Sequence, residues 1–170
     1  MITGLRGAVA GRGESHVDID VGGVVYRANV SLTTLADLPP EGQPAQLLIH
    51  MIVREDALTL YGFSTEEERQ TFQRLLAVQG VGARVALSVL GVPIDQLVRA
   101  VADEDVAFLK RIPNVGPKTA GRIIVELRDR LPSIARWSPS AGSNGRPASP
   151  SARNELSAAL AQLGYRPNEV

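Results

Sequence analysis

Residues 112–120 read IPNVGPKTA, and within them Gly116-Pro117-Lys118-Thr119 supplies the glycine, cation and hydroxyl on which many phosphate-binding loops end. A triphosphate loop of the form G-x-x-x-x-G-K-[ST] needs a glycine directly before its lysine. Proline stands there instead, and it has no N–H to give a phosphate oxygen. A helical pattern, not a hydrophobic strand, leads into the stretch. It does not read as a nucleotide loop, so a different phosphate-bearing ligand has to be considered.

An internal repeat points to one. VQGVGARVA at 78–86 aligns with IPNVGPKTA at 112–120, so that Gly82 matches Gly116, Arg84 matches Lys118 and Ala86 matches Ala120. Each copy has a leucine-bearing helix before it (Leu75, Leu109) and a helix after it. The unit is helix, tight apolar turn, helix. Gly80 and Asn114 fall where the turn needs a left-handed backbone, which glycine adopts freely and asparagine tolerates. Val81 and Val115 are expected to plug the turns into the core. The amides that open the following helices have no partner inside the helix, and they lie at the positive end of its dipole. Such a helix start receives anions. Gly80, Val81, Gly82 and Arg84, with Asn114, Val115, Gly116, Lys118 and Thr119, are therefore the candidate DNA-backbone contacts, and Arg122 adds a cation further along. Contacts of this kind go to phosphates and read no base sequence. The alternative is that Gly turns merely pack two helices; two copies with a cation at the same offset favour the anion sites.

The elements that must position these turns follow from pattern. Residues 1–63 alternate in the manner of strands: HVDIDV and VVYRANV joined by Gly22-Gly23, then QLLIHMIV and ALTLYGF, with MITGLRGAVA ahead of them. About five short strands make a small barrel. From residue 64 the period becomes helical, with Ser64 and Glu67 as the expected capping box and Phe72, Leu75 and Leu76 on one face. Helices are expected at Arg84–Leu90, Ile94–Ala102, Asp105–Arg111 and Lys118–Leu131, making an all-α domain over 64–131. In residues 132–151, twelve of twenty are Gly, Pro or Ser, the composition of a flexible linker. Residues 152–170 resume a helix with Leu156, Leu160 and Leu163 on one face, and one such helix cannot bury its own apolar side. This last segment reads as the truncated start of a small helical C-terminal domain.

Composition narrows the function classes. The chain has no cysteine and two distant histidines, so no disulfide, cysteine-based site or zinc centre is expected, and no metal or cofactor. No apolar run is long enough to span a membrane and the start is unlike a signal peptide, so a cytoplasmic protein without a membrane partner is the default. Formal net charge is zero, with residues 1–63 acidic on balance and the remainder basic. DNA binding would then depend on local geometry, because no broad basic field exists. Glu55-Asp56, between two strands, reads as a solvated hairpin tip, or as a charge that repels phosphate where strands must be kept apart. Two rival functions are weighed. A nuclease would need a carboxylate cluster for Mg²⁺, from Asp18 and Asp20 or from Asp103-Glu104-Asp105, although the latter run is better placed to cap a helix. A protein-only adaptor would use the hairpins for packing alone.

The repeat resembles the tandem helix-hairpin-helix motif, L-x-x-[LIV]-x-G-[LIV]-G-x-x-x-A, with Asn114 replacing the first glycine of the second copy. The order of barrel, tandem hairpins, linker and helical end, together with MITGLRGAV, VREDA, LYGF, GVGARVAL and VGPKTAGRIIVELRDRL, resembles the RuvA family from residue 1 to about 131 and again over 152–170. That resemblance implies an OB-type barrel and a non-catalytic, sequence-independent binder of four-way (Holliday) DNA junctions in recombination and repair. It implies a homotetramer, or two tetramers as an octamer, offering a flat basic face to an open square junction. It implies that Glu55 and Asp56 form an acidic pin at the centre, with eight carboxylates from four subunits. It also implies that the face of Leu156, Leu160 and Leu163 belongs to the domain that contacts the RuvB motor, incomplete in this chain, with the RuvC resolvase a further partner. ATP hydrolysis is expected on the motor.

Overall fold

The computed structural model describes residues 1–128. Five strands come first: β1 (Gly4–Arg12), β2 (His16–Val21), β3 (Val24–Val30), β4 (Pro44–Val53) and β5 (Leu58–Phe63). They close a barrel in the order β1-β2-β3-β5-β4. All ladders are antiparallel except β3–β5, where Ala28, Asn29 and Val30 run parallel to Leu60, Tyr61 and Gly62. Closure removes the exposed edges that five short strands would otherwise present. At the β2–β3 turn both Gly22 and Gly23 have positive φ, the geometry that a two-residue hairpin of this hand demands, and Gly23 N donates to Asp20 Oδ1 at 2.7 Å. Alternate residues fill the interior: Leu5, Val9, Val17, Ile19, Ala28, Val30, Leu47, Ile49 and Leu60 form one apolar core.

Between β3 and β4 lies a short helix, α1 (Leu32–Asp37), that the sequence pattern does not announce. Its cap is Ser31, whose side chain accepts from Thr34 N at 3.1 Å. Only Thr34 of its six residues is buried, so no apolar stripe marks it.

The helical half has five members: α2 (Glu66–Ala77), α3 (Ala83–Val89), α4 (Ile94–Ala102), α5 (Val106–Leu109) and α6 (Pro117–Arg128). Helix α4 has its expected bounds. Helix α3 is shifted by one residue, and α5 keeps only four residues: Asp105 is its cap, accepting from Phe108 N at 2.8 Å, and Lys110 already ends it. Pro117 opens α6, the first-turn position where a missing N–H costs nothing.

The capping box of α2 is a correction. Ser64-x-x-Glu67 and Thr65-x-x-Glu68 both fit the pattern, and the second pair is used. Thr65 accepts from Glu68 N at 3.2 Å, while the Glu68 carboxylate accepts from Thr65 N at 3.4 Å and Ser64 N at 2.9 Å. The choice is decided by what else Glu68 reaches. Its carboxylate also takes the hydroxyls of Thr33 and Thr34, at 3.2 and 3.0 Å, so a single buried acid ties α1 to the start of α2. Phe72, Leu75, Val81, Ala86, Leu97, Leu109, Val115, Ile123 and Leu127 make the second core. Phe63, the last residue of β5, belongs to it: its ring centroid is 5.0 Å from that of Phe72.

Candidate nucleic-acid interface

The sequence repeat becomes a repeated hydrogen-bond ladder. In the first hairpin Val78 N donates to Leu75 O at 3.1 Å, Val81 N to Val78 O at 3.0 Å and Ala86 N to Gly82 O at 2.9 Å. In the second, Ile112 N donates to Leu109 O at 3.1 Å, Val115 N to Ile112 O at 3.1 Å and Ala120 N to Gly116 O at 2.8 Å. Every partner is offset by the same interval. The left-handed residues fall where the turn geometry requires them, Gly80 with φ 87° and Asn114 with φ 66°. Val81 and Val115 are both buried at 6% exposure and pin the turns to the core.

The helices that leave the turns start in the open. Gly82 caps α3 from an extended conformation and makes no side-chain cap bond. The first internal acceptor bond of each helix belongs to Ala86 and Ala120, so the amides of Gly82, Ala83, Arg84 and Val85, and of Gly116, Lys118 and Thr119, have no backbone partner among the described residues. Gly82, Arg84, Gly116 and Lys118 are exposed, and Thr119 is partly buried. Each helix start therefore presents unsatisfied N–H groups to solvent at the positive end of a dipole. Among the described residues, nothing but the flanking residues of the chain lies within 4 Å of where a Cβ would lie on Gly82 or Gly116. Neither Arg84 nor Lys118 makes an ion pair among the described residues, so both charges are available to an outside anion.

Two grooves flank this pair of turns. One, of about 700 Å³, lies between the first turn (Val78, Gln79) and α6 (Lys118, Gly121, Arg122, Val125). The other, of about 410 Å³, lies between Pro113 and α3 (Arg84, Leu87, Ser88) with Gly91 just beyond it, and has Asn29 and Tyr61 of the barrel and the α1 cap Ser31 on its far side. Under the repeat, Arg84, Leu87, Ser88 and Gly91 correspond to Lys118, Gly121, Arg122 and Val125, and Pro113 to Gln79. The grooves are thus two copies of one construction, each pairing one hairpin's turn with the other's helix. Sequence alignment shows the repeat but not this exchange, which depends on packing. Arg122 is the exception to the open character of the site: its Nη1 donates to Gln79 O at 3.0 Å.

Glu55 and Asp56 sit at the tip of the β4–β5 hairpin, beyond the last strand pair, Val53 and Leu58. Arg54 N donates to Ala57 O at 2.8 Å and closes the turn. Residues 53–58 are all exposed, with Val53 at 62% and Leu58 at 70%. Of the acids considered for a metal site, Asp18, Asp20, Glu104 and Asp105 are engaged locally. Asp18 takes two bonds of 2.8 Å from Arg27, which hold its carboxyl below the usual range. Asp20 accepts from the β2–β3 turn, and Glu104 is paired with Arg128. Among the described residues no three His, Asp or Glu side chains gather where an ion could bind, and no single helix is long and apolar enough to cross a membrane. Leu156, Leu160 and Leu163 lie outside the described residues.

Comparison with known proteins gives matches at both halves. Residues 1–62 match the family described as RuvA N terminal domain, and residues 72–129 the family described as SAM-like Helix-hairpin-helix tandem. Over its whole length the chain is 43% identical to the Holliday junction branch migration complex subunit RuvA of Stutzerimonas stutzeri (strain A1501), covering 87% of that protein. It is 44% identical to the protein of the same description from Anaeromyxobacter sp. (strain Fw109-5), covering 85%, and 42% identical to that from Xanthomonas campestris pv. campestris (strain B100), covering 86%.

Proposed function

The chain belongs to the RuvA family of Holliday junction branch migration complex subunits, and from that premise we propose that it binds four-way DNA junctions through their phosphates, without regard to base sequence. The observation that carries this reading is the duplicated turn: two exposed helix starts with unpartnered amides, each with a free cation, Arg84 or Lys118, on its first turn. The amides of Gly82–Arg84 and of Gly116, Lys118 and Thr119 donate to phosphate oxygens, and the absence of a side chain at Gly82 and Gly116 lets the DNA backbone approach. Gly80 and Asn114 supply the reversal, and Val81 and Val115 hold it against the core.

Four copies form a homotetramer, singly or as two face-to-face tetramers, whose hairpins meet the four arms of an open, square junction. The Glu55-Asp56 tips gather at its centre, where their charge repels phosphates and keeps the exchanging strands apart. The subunit performs no chemistry of its own. It hands the arms to the RuvB motor, which the segment at 152–170 contacts through Leu156, Leu160 and Leu163, and it leaves room for the RuvC resolvase.

A gel-shift comparison of a four-way junction with a linear duplex of equal length tests the reading. Strong preference for the junction is expected, with affinity that falls steeply as salt rises because bound phosphates release counterions. Equal binding to the two DNAs would remove the junction from the account. Cleavage of a labelled junction by the protein with Mg²⁺ alone would favour the nuclease instead.

A further inference from the structure

The two grooves are built alike but finished differently. Position 88 of the first hairpin corresponds to 122 of the second. Ser88 turns its hydroxyl back on its own helix, donating to Arg84 O at 3.1 Å. Arg122 instead reaches across to the other hairpin, its Nη1 donating to Gln79 O at 3.0 Å. The same nitrogen lies 3.6 Å from where a Cβ on Gly80 would be. The Gln79 carbonyl belongs to the peptide that leads into Gly80, the left-handed residue of the first turn. Glycine leaves that peptide freer to rotate than any other residue would. The second turn uses Asn114, which has a Cβ, and among the described residues no side chain of the first hairpin holds it. The more permissive turn is the one held from outside.

We infer that Arg122 is a positioning residue: from the second hairpin it fixes the Gln79–Gly80 peptide of the first, so that both sets of helix-start amides meet the DNA backbone as one rigid unit. The inference deepens the proposed function and rests on it, because it assumes that both turns hold DNA. It also moves Arg122 away from the part its position on α6 suggests, that of a phosphate ligand one helical turn beyond Lys118. The Nη1 that donates to the Gln79 carbonyl is turned to the first hairpin, and because the guanidinium is planar and pre-organised little freedom is lost in making that bond.

A double-mutant cycle separates the two roles, because residues that act together show non-additive losses. Binding of a labelled four-way junction is measured by fluorescence anisotropy at low salt, with Arg122→Ala placed in wild type, in Arg84→Ala and in Lys118→Ala. Positioning of the first turn predicts that Arg122→Ala weakens binding about fivefold or more in wild type and in Lys118→Ala, but less than about twofold once Arg84 is gone. Coupling to Lys118 instead, or an equal loss in all three backgrounds, would overturn the inference. The second measurement is hydrogen exchange on the DNA-free protein. The amides of residues 80–82 are expected to exchange faster in Arg122→Ala while those of α4 do not change; unchanged exchange at 80–82 would likewise overturn it. If wild type fails to prefer the junction but the exchange result holds, the functional reading has failed and the clamp stands.

Discussion

Gly80 and Gly82 stand two residues apart in the same turn, and the structure predicts different consequences for replacing them with alanine. Gly80 has φ 87°. An L-residue held in the left-handed region costs roughly 1–2 kcal/mol. The nearest atom to the added Cβ would be Arg122 Nη1 at 3.6 Å, an ordinary contact, so the cost is that of the backbone alone. Gly82 has φ −92° and, among the described residues, nothing but its flanking residues within 4 Å of its Cβ position. There alanine fits without strain, and the roughly 0.4–1 kcal/mol gained by restricting the unfolded chain is offset by a loss of similar size, because alanine is a poorer N-cap than glycine. Gly82 nonetheless caps α3 at the exposed point where the proposed phosphate contact lies. Displacing that phosphate forfeits a hydrogen bond to a charged acceptor, about 1.5–3 kcal/mol, or on the order of tenfold or more in affinity. Urea unfolding followed by helical circular dichroism, paired with junction binding, reads both effects. Gly80→Ala should lower the unfolding midpoint, and Gly82→Ala should leave it nearly unchanged while weakening junction binding. A Gly82→Ala protein that binds the junction as wild type does would refute the assignment of the turn to DNA.

Other outcomes follow from single contacts. Glu68→Ala removes the capping box and one acceptor shared by the Thr33 and Thr34 hydroxyls, which keep their bonds to Leu90 O and Ser31 Oγ, and should cost about 1–3 kcal/mol in urea unfolding; a loss below about 0.5 kcal/mol would deny it the role of tying α1 to α2. His50 packs edge-on against Phe72, and burial, with Arg69 nearby, holds its pKa below the ordinary value. The unfolded chain then binds a proton first, so stability should decline as pH falls below about 6.5 and level off below the lowered folded-state value. His50→Gln should flatten that decline between pH 7.5 and 5, and an unaltered slope would assign it to another group. Replacing Glu55 and Asp56 together by alanine should leave junction affinity unchanged or improved while altering branch migration with the motor present; a large loss of affinity would contradict a repulsive tip. Lys118→Ala should weaken binding to duplex and junction alike and make the dependence of log Kd on log salt shallower by roughly 0.9, one phosphate contact.

What the sequence makes legible here is what local chemistry determines. The strands of the barrel announce themselves by alternation and by Gly22-Gly23, and the turns at 80–82 and 114–116 by residue types that tolerate a left-handed backbone. What escapes is decided by packing between distant segments. Helix α1 is too short and too polar to show a stripe. The parallel β3–β5 ladder that closes the barrel joins residues about 30 positions apart and has no local signature. Two overlapping capping boxes fit equally well by spacing, and only the approach of Thr33 and Thr34 selects Glu68 over Glu67. Arg122 looks like one more cation on α6 until the fold brings Gln79 against it.

Everything proposed for this protein depends on the helix-start amides of both hairpins receiving DNA phosphates. Hydrogen exchange at single-residue resolution, with and without a bound four-way junction, tests it most directly. New protection is expected at Gly82–Arg84 and at Gly116, Lys118 and Thr119, of similar size in the two hairpins. Protection confined to other surfaces, with those amides exchanging as freely as in the unbound protein, would contradict it.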